Sequence, residues 1–226
     1  VTGVFRAREG GFPEITDAVR RHVPEARSVL EVGCGTGELS LELASVLEAR
    51  VLGIDLEPAN VALAEEARAG HAERVAFRAG DYLELALEPV DLIVMSSTLH
   101  LIRGATERLV EKLARDLVPG GLLVATLPFE CAFNSLLFAA RRAFRVVRSR
   151  PVDALVLAAG KLAHPREPTE RIRERVPYMY VIPERLDGET LRGIERAHGL
   201  ELVEERPIAH ASLAQPRHRL TVLRRR

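Results

Sequence analysis

A doubly wound α/β sheet, most of its strands parallel, is the fold class this sequence predicts. Three observations predict it. Short aliphatic runs alternate with amphipathic stretches from Arg27 to about Pro128, the aliphatic runs are continuous, and a glycine cluster follows the first of them. Alternating strand and helix patterns imply parallel strands joined by right-handed crossovers, with helices on both faces. Unbroken apolar runs are what strands covered on both sides require.

Taken in order, Pro13–His22 has helical spacing, with Ile15, Val19 and Val23 on one stripe that is expected to pack at the sheet edge. Strands are expected at Ser28–Val32, Val51–Ile54, Val75–Phe77, Asp91–Met95 and Leu122–Thr126. Helices are expected between them at Glu38–Glu48, Pro58–Ala69, a short one near Tyr82–Ala86, and Ala105–Leu117. Pro58 suits a first helical turn, where its missing N–H would be unpaired anyway. Pro119-Gly120-Gly121 ends one helix and turns into the fifth strand. Cys131–Ala163 reads as one or two amphipathic helices interrupted near Arg150-Pro151, and His164–Pro183 is irregular and punctuated by proline. The rhythm then resumes with a helix at Glu184–His198 and strands at Leu200–Val203 and Arg219–Leu223. With no internal repeat, a single domain is expected: residues 1–26 as a helical cap, 27–127 as the core, 128–184 as an insertion and 185–226 as the closing helix and strands.

An apolar fraction of 47% over 226 residues is ample for one core. Acids and bases balance at 32 each, so no global field draws in nucleic acid. Cys34 and Cys131 are too few for a disulfide framework or a four-thiolate metal site. The opening Val-Thr-Gly-Val-Phe-Arg lacks the pattern of a secretory signal, and no apolar run approaches membrane-spanning length. The expectation is a cytoplasmic protein without integral membrane association.

Val29-Leu30-Glu31-Val32-Gly33-Cys34-Gly35-Thr36-Gly37-Glu38 reads as a strand, a glycine turn and a helix start. Glycines admit positive φ and let backbone approach a ligand closely. The helix behind them offers unpaired N–H groups and a positive dipole end, suited to a phosphate or a carboxylate. A dinucleotide fingerprint needs its third glycine at position 38, where Glu38 would repel a pyrophosphate. Gly-x-x-x-x-Gly-Lys-Ser/Thr is absent, which disposes of a P-loop.

Glu31-x-Gly33-x-Gly35-x-Gly37 resembles the first motif of class I S-adenosylmethionine-dependent methyltransferases, and further motifs follow in the same order. Gly53-Ile54-Asp55 resembles the acidic motif that binds the ribose hydroxyls, and Asp55 falls about 20 residues past the first glycine, as a βαβ unit requires. Ala79-Gly80-Asp81-Tyr82 resembles the motif that meets the adenine amine and flanks the ring. Val90–Ser96 and Leu117–Leu122 complete the set. The resemblance covers about Arg27–Thr126. It implies a seven-stranded sheet with the last strand antiparallel, S-adenosyl-L-methionine as cofactor, and a cofactor site of Glu31, Gly33, Cys34, Gly35, Gly37, Asp55, Leu56, Gly80, Asp81, Tyr82 and Ser96. Glu31 is assigned to the methionine portion; an acid there would be costly to bury unpaired. Asp81 has a second reading as a helix N-cap. Cys34 is read as a small residue that fits the turn.

Methyl transfer from a sulfonium needs alignment and, for some acceptors, removal of a proton. His100, in Ser96-Ser97-Thr98-Leu99-His100, stands at the position that faces the sulfonium in this family and is the candidate base; packing against its neighbours is the alternative. Tyr178 and Tyr180 are candidate substrate contacts, as is His164, and no metal-ligand cluster is evident. In this family, residues after the fifth strand commonly form a lid. Here the segment interleaves Leu136, Leu137, Phe138, Phe144, Val146, Val147, Leu155, Val156 and Leu157 with Arg141, Arg142, Arg145, Arg148 and Arg150. A lid of apolar helices over a hydrophobic or aromatic molecule is the preferred reading, with a homodimer interface and an anionic membrane surface as alternatives.

Ser96-Ser97-Thr98-Leu99 lacks the Asp/Asn/Ser-Pro-Pro-aromatic motif of amino-group DNA methyltransferases, and Cys131 lacks the surroundings of a carbon-5 RNA nucleophile. The expectation is therefore methylation of an oxygen, nitrogen or carbon of a small, apolar or aromatic acceptor, with no nucleic-acid partner. The alternatives are an RNA or protein methyltransferase, a nicotinamide-nucleotide oxidoreductase and a non-catalytic cofactor-binding protein.

Overall fold

The structure is a computed structural model that describes residues 11–70, 73–163, 165, 168–209 and 215–226. Residues 1–10 of the expected N-terminal cap, and His164, lie outside the described residues. Seven strands form one sheet: β1 (Ser28–Val32), β2 (Arg50–Asp55), β3 (Val75–Ala79), β4 (Val90–Ser96), β5 (Leu117–Pro128), β6 (Leu200–Pro207) and β7 (His218–Arg225). Their spatial order is β3-β2-β1-β4-β5-β7-β6. β1 to β5 run parallel, and β7 is antiparallel to both β5 and β6, as the sequence predicts. The chain winds outward from β1 to β3, then returns to lay β4 on the other side of β1. Strand order reverses there, and the carboxyl ends of β1 and β4 flank the crevice where open α/β sheets bind ligands.

Helices α1 (Pro13–His22), α2 (Glu38–Leu47), α3 (Pro58–Ala67), α4 (Thr106–Arg115), α5 (Ala132–Val146), α6 (Arg150–Ala163), α7 (Thr169–Arg175) and α8 (Glu189–Ala197) complete the chain. Successive strand residues point to opposite faces, and here both faces are dry. Val29, Val51, Leu92, Val94 and Val124 pack with Ile15 and Val19 of α1 and Leu39 and Leu43 of α2. Leu30, Ile54, Ile93, Met95 and Leu123 pack on the other face with Leu109 and Leu113 of α4 and Leu191 of α8. The uninterrupted apolar runs follow directly from this double cover.

Four boundaries differ from the sequence expectation. Tyr82–Ala86 is not helical: Asp81 Oδ1 accepts the Leu83 N–H at 2.9 Å and closes a turn instead. β5 begins at Leu117, which pairs with Val90, and the register slips before Leu92 meets Leu122. Pro119-Gly120-Gly121 is that irregularity, and a Cβ on Gly121 would stand 2.9 Å from the Val118 carbonyl. The final helix starts at Glu189 rather than Glu184, because residues 184–188 join the insertion to the sheet, Asp187 N–H donating to Pro128 O at 2.9 Å. The stretch read as irregular contains α7 and a 3-10 turn, Val176–Tyr180.

Leu43 is fully buried where α2 meets the sheet. Leu43→Ala is expected to cost about 2–5 kcal/mol by lost burial and a residual cavity, read as a lower urea midpoint. A loss under about 1 kcal/mol would show that α2 does not depend on this packing.

Candidate functional site

The loop after β1 is tied down by β2. The N–H groups of Gly33 and Cys34 both donate to the Ile54 carbonyl, at 2.7 and 3.0 Å. Gly33, Gly35 and Gly37 have φ of +79°, +54° and +87°, conformations that glycine adopts without a steric penalty. A Cβ on Gly33 would lie 2.3 Å from Thr98 Oγ1, so the loops after β1 and β4 touch only because this residue has no side chain. Gly37 opens α2 with no side-chain cap, which leaves the first N–H groups of that helix for a ligand.

Asp55, at the end of β2, fans out onto this loop. Its Oδ2 accepts from Gly35 N at 2.9 Å, and its Oδ1 from Glu57 N at 2.9 Å and Asn60 Nδ2 at 3.2 Å. Leu56, the next residue, is 72% exposed, an unusual state for leucine beside a polar loop and one that suits a flat ring lying on it. Gly80 sits at the end of β3, where its N–H donates to the Asp55 carbonyl at 2.9 Å. Asp81 is exposed beside it. Its capping alternative is realised on a turn, through one carboxylate oxygen.

Glu31 is buried beneath the loop, and Ser40 Oγ of α2 donates to its Oε2 at 2.5 Å. Burial pushes its carboxyl up to about 8; the nearby Glu38 and Asp55 carboxylates add to the shift and the Ser40 hydrogen bond opposes it. Cys34 is also buried, and burial raises its thiol well above the ordinary range, so it carries no thiolate chemistry. Tyr82 departs from its expected role. Its ring is buried in the core and covers Lys112, whose Nζ lies 4.7 Å from the ring centroid and donates to Asp116 Oδ2 at 2.7 Å. The ring thereby shields that buried ion pair within the core.

Beyond β4, the half-buried Ser96 accepts from Thr98 Oγ1 through its carbonyl at 3.1 Å. Ser97 has a φ of +55°, a strained state for a residue with a side chain. It is held there by its N–H, which donates to Thr126 O at 3.0 Å and Oγ1 at 2.9 Å. Sequence reasoning missed Ser97 and Thr126, although a polar run directly after an apolar strand marked the place. His100 follows in a 3-10 turn, Leu99–Leu101. It is 7% exposed, with its ring 5.8 Å from that of His218 in an edge-on arrangement. Burial, then the positive surroundings of His218, Arg185 and Arg141, push its imidazole down to about 3. Burial disfavours the protonated ring, and its packing against His218 matches the alternative reading of this residue.

The insertion is rooted by Asn134 of α5, which is fully buried. Its amide donates to Phe129 O at 2.7 Å and Arg217 O at 2.8 Å and accepts from Arg217 N at 2.8 Å. At the far end, Arg185 donates to the carbonyls of Leu99 and Ile102 at 2.7 Å, to Gly104 O at 3.0 Å and to Thr106 Oγ1 at 3.3 Å. Neither residue carried any mark in the sequence. Tyr180 braces the insertion internally, its hydroxyl donating to Asp153 Oδ1 at 2.6 Å under the Arg148 guanidinium, so it does not face the crevice. Tyr178 is placed in the 3-10 turn, with its side chain outside the described residues. The buried face of α5 is Asn134, Phe138 and Arg141, whereas Leu136, Phe144, Val146, Leu155 and Leu162 point outward. The expected inward apolar lining is therefore reduced. Two cavities, of about 280 and 320 Å³, lie away from the crevice, beside α4 and at the amino ends of β1–β3.

Residues 29–121 match the family model of a methyltransferase domain. The chain is 35% identical over 100 residues to a carboxy-S-adenosyl-L-methionine synthase from Wolinella succinogenes, covering 42% of each protein. It is 33% identical over 140 residues to a trans-aconitate 2-methyltransferase from Methylobacterium nodulans, covering 61% of this chain and 50% of that one. It thus spans half or less of the length of these curated relatives. Among solved structures, the N-methyltransferase NodS from Bradyrhizobium japonicum, in complex with S-adenosyl-L-homocysteine, superposes with a TM-score of 0.61 at 20% identity, covering 94% of this chain and 86% of that one.

The folded chain keeps the Glu31 proton up to about pH 8, whereas an ordinary glutamate loses it near 4.5. Between those values the folded state binds more protons, so stability falls as pH rises through the interval and levels off above it. Glu31→Gln has no such proton and is expected to flatten that segment of a urea-unfolding profile. An unaltered slope would locate the pH dependence elsewhere.

Proposed function

We propose that the chain, whose residues 29–121 match the model of a methyltransferase domain, is a class I, S-adenosylmethionine-dependent methyltransferase acting on an oxygen, nitrogen or carbon of a small organic acceptor. One observation carries the reading. At the β1/β4 switch point, a glycine-rich loop whose Gly33 lies against Thr98 and an acid gripping Gly35 stand together, an arrangement suited to an adenosyl amino acid. Glu31 faces the ammonium of the methionine portion, and an approaching cation draws its raised carboxyl back toward the ionised form. The open N–H groups of α2 receive the methionine carboxylate. Asp55 exchanges its present partners for the ribose hydroxyls. Leu56 lies on the adenine, with Gly80, Asp81 and the Tyr82 backbone at its edge, and Ser96 borders the methionine chain.

The bound cofactor supplies an electrophilic methyl on a sulfonium. The protein's share is to hold the acceptor in line and exclude water, and such alignment supplies much of the rate in displacements of this kind. The post-β4 loop and the Asn134-rooted insertion do that positioning, with the His100 ring as a contact rather than a strong base. Glu38 supports this reading over a nicotinamide one. Its carboxylate, accepting from Thr36 Oγ1 at 2.7 Å, occupies the third-glycine position of a dinucleotide fingerprint and would repel a pyrophosphate there. The names of the two curated relatives, both of small-molecule enzymes, point the same way. The outward apolar residues of α5 and α6 suit contact with a second copy of the chain as well. Among the described residues no helix is long and apolar enough to cross a membrane.

Calorimetric titration with S-adenosylhomocysteine tests the core of the proposal. The wild-type chain is expected to bind, and Asp55→Ala to bind more weakly by about 1–3 kcal/mol through lost charge-assisted hydrogen bonds. Absence of binding by the folded wild type, or equal affinity in the variant, overturns the site. For His100, the ring C–H proton resonance is expected to show no inflection between pH 5 and 8. Titration near 6.5 would restore it as a base.

A further inference from the structure

The outer side of the insertion is built the wrong way round for a surface in water. Of the nine large apolar side chains that stand exposed among the described residues, six belong to α5, α6 and the turn between them: Leu136, Phe144, Val146, Val147, Leu155 and Leu162. Val146 and Leu162 are each 85% exposed. A helix with one wet side ordinarily turns its polar residues outward. In α6 the exposed positions after Arg150 are Pro151, Ala154, Leu155, Ala158, Ala159 and Leu162, one stripe at helical spacing with no polar residue in it. Asp153 and Lys161 of the same helix are half-buried and lie off that stripe. In α5, whose buried face is Asn134, Phe138 and Arg141, the exposed Leu136, Ala139 and Ala143 lie across the helix from it.

Positive charge gathers at the same place. Residues 131–163 hold six cationic side chains, Arg141, Arg142, Arg145, Arg148, Arg150 and Lys161, against the single acid Asp153, in a chain whose acids and bases balance at 32 each. The compensating excess of acid therefore lies on the rest of the molecule. Part of the cationic set serves the fold. Arg141 donates to Val181 O at 3.2 Å, and Arg148 lies over the Tyr180 ring, 3.6 Å from Asp153. Arg142, Arg145 and Arg150 are exposed and have no acidic partner among the described residues. They stand in the last turns of α5 and at the start of α6, bordering the apolar stripes.

We propose that the outward face of α5 and α6 docks on the surface of an anionic lipid bilayer. Apolar stripes alone would suit a second copy of the chain, and the arginines decide between the two. A second copy would set its own arginines against these, with no exposed acid on the face to answer them. An anionic bilayer answers both features. Leucine, valine and phenylalanine enter the acyl boundary, while the arginine stems run along the apolar surface and carry their guanidinium groups to lipid phosphates. Neither helix is able to cross, since α5 has 15 residues and α6 has 14, against about 20 for a span. Both are held from behind, α5 by Arg141 on Val181 O and α6 by Asp153, which accepts from the Tyr180 hydroxyl at 2.6 Å. Their outer sides are thus free to seat without unpacking the insertion. The inference stands apart from the methyltransferase reading, because none of the residues it uses belongs to the cofactor crevice.

The test is co-sedimentation of the full chain with vesicles of phosphatidylcholine alone and of phosphatidylcholine containing about one-third phosphatidylglycerol. Binding to the anionic vesicles is expected, weakening as added salt screens the charges. Replacing Arg142, Arg145 and Arg150 together by Gln is expected to lower the partition coefficient about a hundredfold, at about fivefold per arginine near a charged membrane. Leu155→Ser combined with Leu162→Ser is expected to lower it about tenfold or more through lost apolar burial. All five positions are exposed, so the melting midpoint by circular dichroism is expected to hold in both variants, which separates lost docking from lost folding. No binding to anionic vesicles, equal binding to neutral and anionic ones, or binding that either variant leaves unchanged overturns the proposal. So does a dimer in sedimentation velocity that Leu155→Ser with Leu162→Ser dissolves while vesicles retain no protein, a result that assigns the face to a second copy.

Discussion

The carboxylate of Asp55 is the joint on which the site depends. It stands at the end of β2 yet accepts hydrogen bonds from the loop after β1, from the start of the following helix and from Asn60 within it. The three glycines of the loop have no side chains with which to fix themselves, and their left-handed φ values are affordable but not self-enforcing. Asp55, with the Ile54 carbonyl beside it, supplies the missing restraint. The geometry of the glycine cradle is thus held by the same oxygens that the proposed site assigns to a ribose. Ligand binding here is an exchange of hydrogen-bond partners with little rebuilding of the backbone.

Much of this was legible in the residues. The alternation of apolar runs and amphipathic stretches gave β1 to β5 and their crossovers, because a strand buried on both faces has no freedom to be polar. Glycine spacing and the acid one βα unit later placed the crevice, because both answer to local backbone geometry. Legibility failed where a side chain serves a distant partner. Tyr82 looked like a ring-flanking residue and instead shields Lys112. The neighbourhood of His100, with Arg141, Arg185 and His218, is assembled from segments up to 118 positions apart in the chain and could not be read from its local sequence. Asn134 and Arg185, which anchor the two ends of the insertion, are lone polar residues in runs that give no hint of burial.

The two halves of the crevice follow different logic. The cofactor end is built from backbone, with acids at strand ends, and its electrostatics suit an ammonium and a pair of hydroxyls. Beyond β4, the surroundings of His100 are built from side chains of separate elements, among them His218 of β7 and Arg185 from the segment after the insertion. Between them, Ser97 is held in a strained conformation by two bonds to Thr126. That strain fixes where the chain leaves β4, and so the direction in which the acceptor-side residues are presented.

The manner in which the insertion is hung has an evolutionary corollary. Asn134 and Arg185 grip almost wholly main-chain oxygens and nitrogens, which every amino-acid sequence possesses. The roughly fifty residues suspended between those two hooks are therefore released from any need to match the scaffold letter by letter. A lineage can rewrite them, lengthen them or trade them for another cassette, changing what is admitted at one end of the molecule while the machinery at the other end is inherited unaltered.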